Sequence, residues 1–159
     1  MHSFRITKYN PVYRNASGAY TRDDWTSYSD IGRTYAGKTL SLHEYQAVEA
    51  TYIEVAVRFL RDAGIRELVV RSFENSDKSQ TSIKEGAVLT LEQVAHVMRA
   101  VLRQEFWCRL EGQTSYVHLG WDFYMYVGVP AECRRAKTEA SHRGLFVESF
   151  ISPYNQDAA

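Results

Sequence analysis

His118 and Asp122 share the stretch Tyr116 to Val129 with three tyrosines, Tyr116, Tyr124 and Tyr126. Imidazole titrates near neutrality and a neighbouring carboxylate can fix its tautomer, so this group of side chains could carry out general acid–base chemistry. No nucleophile, second carboxylate or glycine-rich phosphate loop accompanies it in the sequence. Catalysis, or small-ligand sensing, on His118 and Asp122 is therefore the second reading. The first is recognition of another protein, because tyrosine and tryptophan offer large contact area at low entropic cost and dominate interface hot spots. The candidate contact residues are Tyr116, His118, Trp121, Asp122, Tyr124 and Tyr126, with Trp25 and Tyr28 from an upstream loop. An exposed aromatic face would serve equally as a homodimer interface, and a face covered by another part of the same chain would be a structural, hydrogen-bonded one.

Other chemistries find less support. The histidines, His2, His43, His96, His118 and His142, show no i, i+4 pair, and no CxxC is present, so neither a metal site nor a cofactor is expected. Asn15-Ala16-Ser17 matches a glycosylation sequon by chance, no secretory signal being evident. Exposed aromatics on a sheet can stack RNA bases, but the RNP segments of that fold are missing. Nineteen basic residues balance nineteen acidic ones, so the long-range field that draws proteins to nucleic acid or anionic membrane is missing too.

The elements that must position these residues follow from hydrophobic periodicity. In Tyr116–Val129 the apolar residues Val117, Leu119, Trp121, Phe123, Met125, Val127 and Val129 alternate without a break with the more polar ones, which marks β-structure with one buried face. Fourteen residues at about 3.3 Å each would overrun a typical strand, so the stretch is expected to turn. A two-residue loop would exchange odd for even positions. A three-residue loop at Gly120-Trp121-Asp122, pairing Leu119 with Phe123, keeps the faces intact.

Two amphipathic helices are predicted to cover the apolar face. Ser41 and Glu44 have capping-box spacing, Leu40 and Tyr45 flank them as a staple, and Tyr45, Val48, Tyr52, Val55, Ala56, Phe59, Leu60 and Ala63 form a stripe that Gly64 ends. Leu89, Thr90, Gln93 and Val94 repeat that start. Their stripe, Val94, Met98, Val101, Leu102 and Phe106, is predicted to run on until Gly112. Pro130 suits the first turn of a third, surface helix over Ala131–Arg143. Strands are expected at Ser3–Tyr9, Ile65–Phe73 and Leu145–Ile151, and a polar surface loop at Glu74–Gly86.

Between Asn10 and Leu40 the pattern breaks down. Aromatics at Tyr13, Tyr20, Trp25, Tyr28 and Tyr35 suggest irregular strands or a hairpin near Trp25–Tyr35, pinned to the core. The assembled expectation is one α+β domain over residues 1–159: a single antiparallel or mixed sheet of five or six strands, two helices packed on one face, and a frayed tail over residues 152–159. Apolar residues at 45% and charged residues at 24% fit a globular chain. No run approaches the roughly 18 apolar residues of a membrane span, and no signal peptide is evident, so a cytoplasmic protein with reduced Cys108 and Cys133 is expected.

The segment Phe106-Trp107-Cys108-Arg109-Leu110-Glu111, followed by Val117 to Gly128 (VHLGWDFYMYVG), resembles segments of small bacterial proteins, among them ones similar to immunity proteins of polymorphic-toxin systems. The resemblance implies a cytoplasmic, non-enzymatic inhibitor that binds a cognate toxin and blocks its active site or its assembly. It carries over no functional residue. Inhibitors of nuclease toxins are commonly acidic, and the neutral balance of this chain departs from that.

Overall fold

A computed structural model describes residues 1–155. In chain order the strands are β1 (His2–Thr7), the two-residue β2 (Thr34–Tyr35) and β3 (Lys38–Thr39), β4 (Glu67–Glu74), β5 (Val88–Thr90), β6 (Trp107–Glu111), β7 (Tyr116–Leu119), β8 (Met125–Val129) and β9 (Phe146–Ser149). The helices are α1 (Leu42–Asp62), α2 (Leu91–Leu102) and α3 (Arg134–His142). One seven-stranded sheet runs β5-β4-β6-β7-β8-β1-β9, and every neighbouring pair is antiparallel. The α+β class stands, with seven strands where five or six are predicted. No helix of the described residues is long and apolar enough to cross a membrane.

Local chemistry explains where the helices begin. Ser41 Oγ accepts the Glu44 N–H at 3.0 Å to start α1, while the Glu44 carboxylate, instead of closing a capping box, takes Lys38 Nζ at 2.9 Å. At α2 the box is complete: Thr90 Oγ1 accepts the Gln93 N–H at 3.3 Å and Gln93 Oε1 accepts the Thr90 N–H at 2.9 Å. Past α1, Gly64 takes the left-handed conformation at φ +77° and lets the Ile65 N–H reach Leu60 O.

The end of α2 corrects the sequence reading. Gln104 adopts φ +62° and the Glu105 N–H bonds Ala100 O, so the helix stops at Leu102 and Trp107–Glu111 becomes β6. Phe106, Cys108 and Leu110 alternate as well as Phe106 continues the helical stripe, and burial on the sheet decides between the two periods. Gly112 then turns the β6–β7 hairpin, its N–H bonded to Ser115 O at 2.8 Å. The other unforeseen strand, β5, is only three residues long. At α3, Cys133 sits at φ +55° and delays the helix to Arg134, leaving Pro130 in the bend ahead of it. That helix buries Ala136 and Ala140 against α1 and β9, so three helices share the apolar face. Both cysteines are free thiols.

The core lies between the helices and the sheet, where Phe4, Phe59, Leu68, Val94, Met98, Val117 and Met125 are buried. Each such side chain contributes about 1.5–3 kcal/mol of transfer free energy. A buried carboxylate lies beside them. Glu49 on α1, nearly inaccessible, accepts two bonds from Arg103 (3.0 and 2.9 Å) and one from the Tyr45 hydroxyl (2.7 Å), tying α1 to the end of α2.

The β7–β8 hairpin keeps the expected parity with a longer loop. Leu119 pairs with Met125, His118 with Tyr126 and Tyr116 with Gly128, so the loop is Gly120–Tyr124 rather than Gly120–Asp122. The Gly120 N–H closes it onto Tyr124 O at 2.8 Å. Phe123, at φ +64°, turns back into the core against Tyr52, Trp25 and Tyr45, with ring centroids 4.8, 5.0 and 5.7 Å away. Burying that ring favours the longer loop. The upstream segment does contain a hairpin, but at β2–β3, turned by Ala36 and Gly37 at positive φ. Single 3-10 turns occupy Pro11–Tyr13 and Tyr28–Asp30.

Candidate functional site

On the face away from the helices, the strand registers line up a row of polar side chains. Glu148 of β9 opposes Arg5 of β1, Arg5 opposes Tyr126 of β8, and Tyr126 opposes His118 of β7. Arg5 binds Glu148 through two hydrogen bonds (3.1 and 3.0 Å) and lies 4.1 Å from the centroid of the Phe150 ring. Arg109 of β6 continues the row. Its guanidinium donates to Ser72 Oγ (3.1 and 3.0 Å), which the β4 bulge at φ +53° aims toward it, and to Glu111 Oε1 (2.6 Å).

The chain itself covers this row. After β9 the Phe150 N–H bonds Ser3 O, the Ser152 N–H approaches the Tyr116 hydroxyl at 3.4 Å, and Arg109 Nη1 donates to Tyr154 O at 3.1 Å. The Tyr154 ring packs on Trp107, Tyr126 and His118. Residues 152–155 are thus a strap over the sheet and not a frayed end; residues 156–159 lie outside the described residues. Tyr116, His118 and Tyr126, expected as a contact face, are buried beneath it.

At the centre of the strap contact, His118 has no accessible surface. Its Nδ1 is 2.7 Å from Ser152 Oγ and its Nε2 is 3.0 Å from Glu111 Oε1. The Glu111 carboxylate can only accept, so Nε2 carries the ring proton and donates it; Nδ1 of the neutral ring then accepts the Ser152 hydroxyl proton, while Ser152 Oγ accepts the Tyr154 N–H at 3.1 Å. Burial pushes the imidazole pKa down to about 3, and the Arg109 cation pushes the same way. Glu111 favours the imidazolium, but Arg109 already neutralises that carboxylate at 2.6 Å. The His118–Glu111 contact is accordingly a hydrogen bond from a neutral ring and not an ion pair. Tyr116 stacks flat on the imidazole, centroids 4.4 Å apart and planes 10° off parallel. That ring in turn fills the space over Gly128, where a Cβ would overlap it.

Ser152, His118 and Glu111 have the connectivity of a nucleophile–base–carboxylate relay. His118 and Ser152 are both buried, and an imidazole with a pKa near 3 is a weak base at neutral pH. The arrangement holds the strap to the sheet. Asp122, expected as the partner of His118, is not that partner. It sits on the exposed loop and its backbone oxygen accepts the Tyr9 hydroxyl at 2.8 Å.

The remaining candidates divide in the same way. Tyr124 is half-buried, its hydroxyl accepting from Arg14 at 2.6 Å and its ring 5.2 Å from Tyr9. Trp25 belongs to the core, with Lys8 Nζ 4.0 Å above its ring, and Tyr28 packs edge-on to Tyr45. Only the tip of the hairpin stays open: Trp121 is 61% exposed and lies beside Trp107, ring centroids 6.5 Å apart and planes 22° from parallel. Trp107 is anchored by its indole N–H, which donates to Leu119 O at 2.9 Å. The two tryptophans line a cleft of about 260 Å³ together with Glu74, Asp77 and Glu105.

Sequence reasoning passed over Arg109, Glu111, Ser152 and Tyr154. The alternation of Trp107, Arg109 and Glu111 against Phe106, Cys108 and Leu110 could have placed the first two on the polar face. Nothing local marks Ser152 or Tyr154, since their role depends on the strap crossing the sheet. Among the described residues no group of three or more His, Cys, Asp or Glu side chains could hold a metal ion. Compared with known proteins, the chain matches no family model, no curated protein and no solved structure.

Proposed function

We propose that the chain is a non-enzymatic protein-binding module, an immunity-type inhibitor from a bacterium that neutralises a cognate toxin, and that it meets its partner through the tip of the β7–β8 hairpin. One observation carries the reading: Trp121 projects into solvent from a five-residue loop held rigid by the Gly120–Tyr124 bond, the buried Phe123 ring and the Tyr9–Asp122 bond. An exposed tryptophan on a rigid support loses little entropy on binding and is the residue type most enriched at hot spots. The tyrosine face supports no such role while the strap lies over it. The enzyme or sensor reading loses its basis as well, because His118 and Asp122 are not joined.

The test is co-expression with the product of the gene immediately upstream. Growth arrest by that product alone, relieved by this chain with isolation of a stoichiometric complex, supports the reading. Absence of a complex sinks it. Within a complex, Trp121→Ala is expected to weaken binding by more than tenfold while leaving the melting temperature in place.

A further inference from the structure

We propose that the cleft beside Trp121 takes an arginine side chain from a protein partner, which deepens the protein-binding reading and rests on it. Three carboxylates, Glu74, Asp77 and Glu105, line the cleft and no lysine or arginine does. None of the three is in an ion pair among the described residues, in contrast to Glu49, Glu111, Glu139 and Glu148, each matched to an arginine. The larger cleft among the three helices shows the difference. There Arg58, Arg61 and Arg143 balance Glu54, Glu92 and Glu139 in number, with Arg58 meeting Glu139 at 2.8 Å and Arg143 meeting Glu54 at 2.6 Å, so that cleft has no excess of one sign.

The acidic rim surrounds a space instead of converging on a point, for among the described residues these carboxylates form no metal-holding group. What suits such a rim is a cation large enough to reach several carboxylates at once. The same cleft is lined by two near-parallel indoles, Trp107 and the exposed Trp121, and the negative quadrupole of an indole face attracts a cation laid over it. A guanidinium meets both demands: it is planar, weakly hydrated, stacks on aromatic rings and donates five N–H groups toward carboxylates, whereas a lysine ammonium is compact and strongly hydrated. The Trp107 indole N–H is occupied by Leu119 O and its ring packs on Tyr154 at 5.5 Å, so the open indole surface is that of Trp121, 61% exposed. A neutral chain therefore carries a local acidic, aromatic socket, and local charge complementarity does not need a net negative protein.

The probe is an N-acetyl Gly-Arg-Gly amide tripeptide, compared with its citrulline and lysine counterparts, read by the indole N–H signals in ¹H–¹⁵N spectra of the full chain. Trp121 and Trp107 signals are assigned from Trp121→Phe and Trp107→Phe. Expected is a saturable shift of both signals with the arginine peptide, weaker with lysine and absent with citrulline. The combined variant Glu74→Gln, Asp77→Asn, Glu105→Gln is expected to weaken it at least tenfold. Equal response to arginine and citrulline, or unchanged binding by the triple variant, overturns the proposal. The three carboxylates are exposed and unpaired, so the triple variant is expected to melt as the wild type does. A protein complex lost with Trp121→Ala but untouched by the triple variant overturns the arginine assignment alone. Arginine-specific binding without any protein complex overturns the functional reading alone.

Discussion

Acidification should loosen this protein through His118 before its carboxylates are protonated. The imidazole is inaccessible and neutral in the folded state, with a pKa near 3 against an ordinary value of 6.5. Above pH 6.5 neither the folded nor the unfolded chain binds a proton there, and the group adds no pH dependence. Below 6.5 the unfolded chain takes up a proton that the folded chain refuses, so the fall in stability steepens to about 1.4 kcal/mol per pH unit and holds there until the folded pKa is reached. Between pH 7 and pH 5 the loss is roughly 2 kcal/mol from this residue alone. Urea unfolding at pH 8, 7, 6 and 5 measures it in the wild type and in His118→Gln, whose amide keeps a donor and an acceptor. The other histidines cancel in the difference. The variant is expected to start less stable and to show a shallower decline. Equal slopes, or a His118 ring that titrates near 6.5 in the native NMR spectrum, would refute the account of a buried neutral ring beneath the strap.

Three further perturbations probe the packing around it. Gly128→Ala drives a methyl into the Tyr116 ring and is expected to cost about 1–3 kcal/mol in urea melts, partly recovered when Tyr116 is shortened to leucine in the same chain. Glu49→Ala leaves Arg103 and the Tyr45 hydroxyl without their partner and is expected to destabilise by about 3–5 kcal/mol, while Glu49→Gln, which keeps an acceptor, should cost less. Truncation after Ser149 removes the strap. Tyr116, His118 and Tyr126 should then become accessible, the dye ANS should bind, and the His118 pKa should return toward 6.5; a truncated chain with unaltered dye binding would show that the strap does not cover the face.

Signals confined to a few neighbouring residues were legible without coordinates. Ser41 and Thr90 begin α1 and α2 because a side-chain oxygen satisfies an N–H three residues on, a relation complete within one turn. Alternation from Tyr116 to Val129 assigns each side chain to a face because the pleat has period two, and the assignment survives the change from a three- to a five-residue loop. The α+β class follows from those two kinds of periodicity.

Wherever two local readings are equally good, the tertiary structure decides. Trp107 to Glu111 satisfies both a helical and a strand period, and its place between β4 and β7 makes it a strand; with β5, too short to register, that raises the sheet to seven. The hairpin loop is set by the pocket that receives Phe123. The fate of the candidate site is decided at still longer range. Tyr116, His118 and Tyr126 stand on one polar face by sequence alone, but whether that face is open depends on Ser152 and Tyr154, which reach it only through the path of the chain after β9. Trp121 occupies an apolar position of the same alternation, but the turn expected at Gly120-Trp121-Asp122 already takes it off the strand; that it stands beside Trp107 and three carboxylates distant in sequence is decided by the tertiary structure. Faces are local properties of a chain; what covers them is not, because burial depends on which remote segment folds across them.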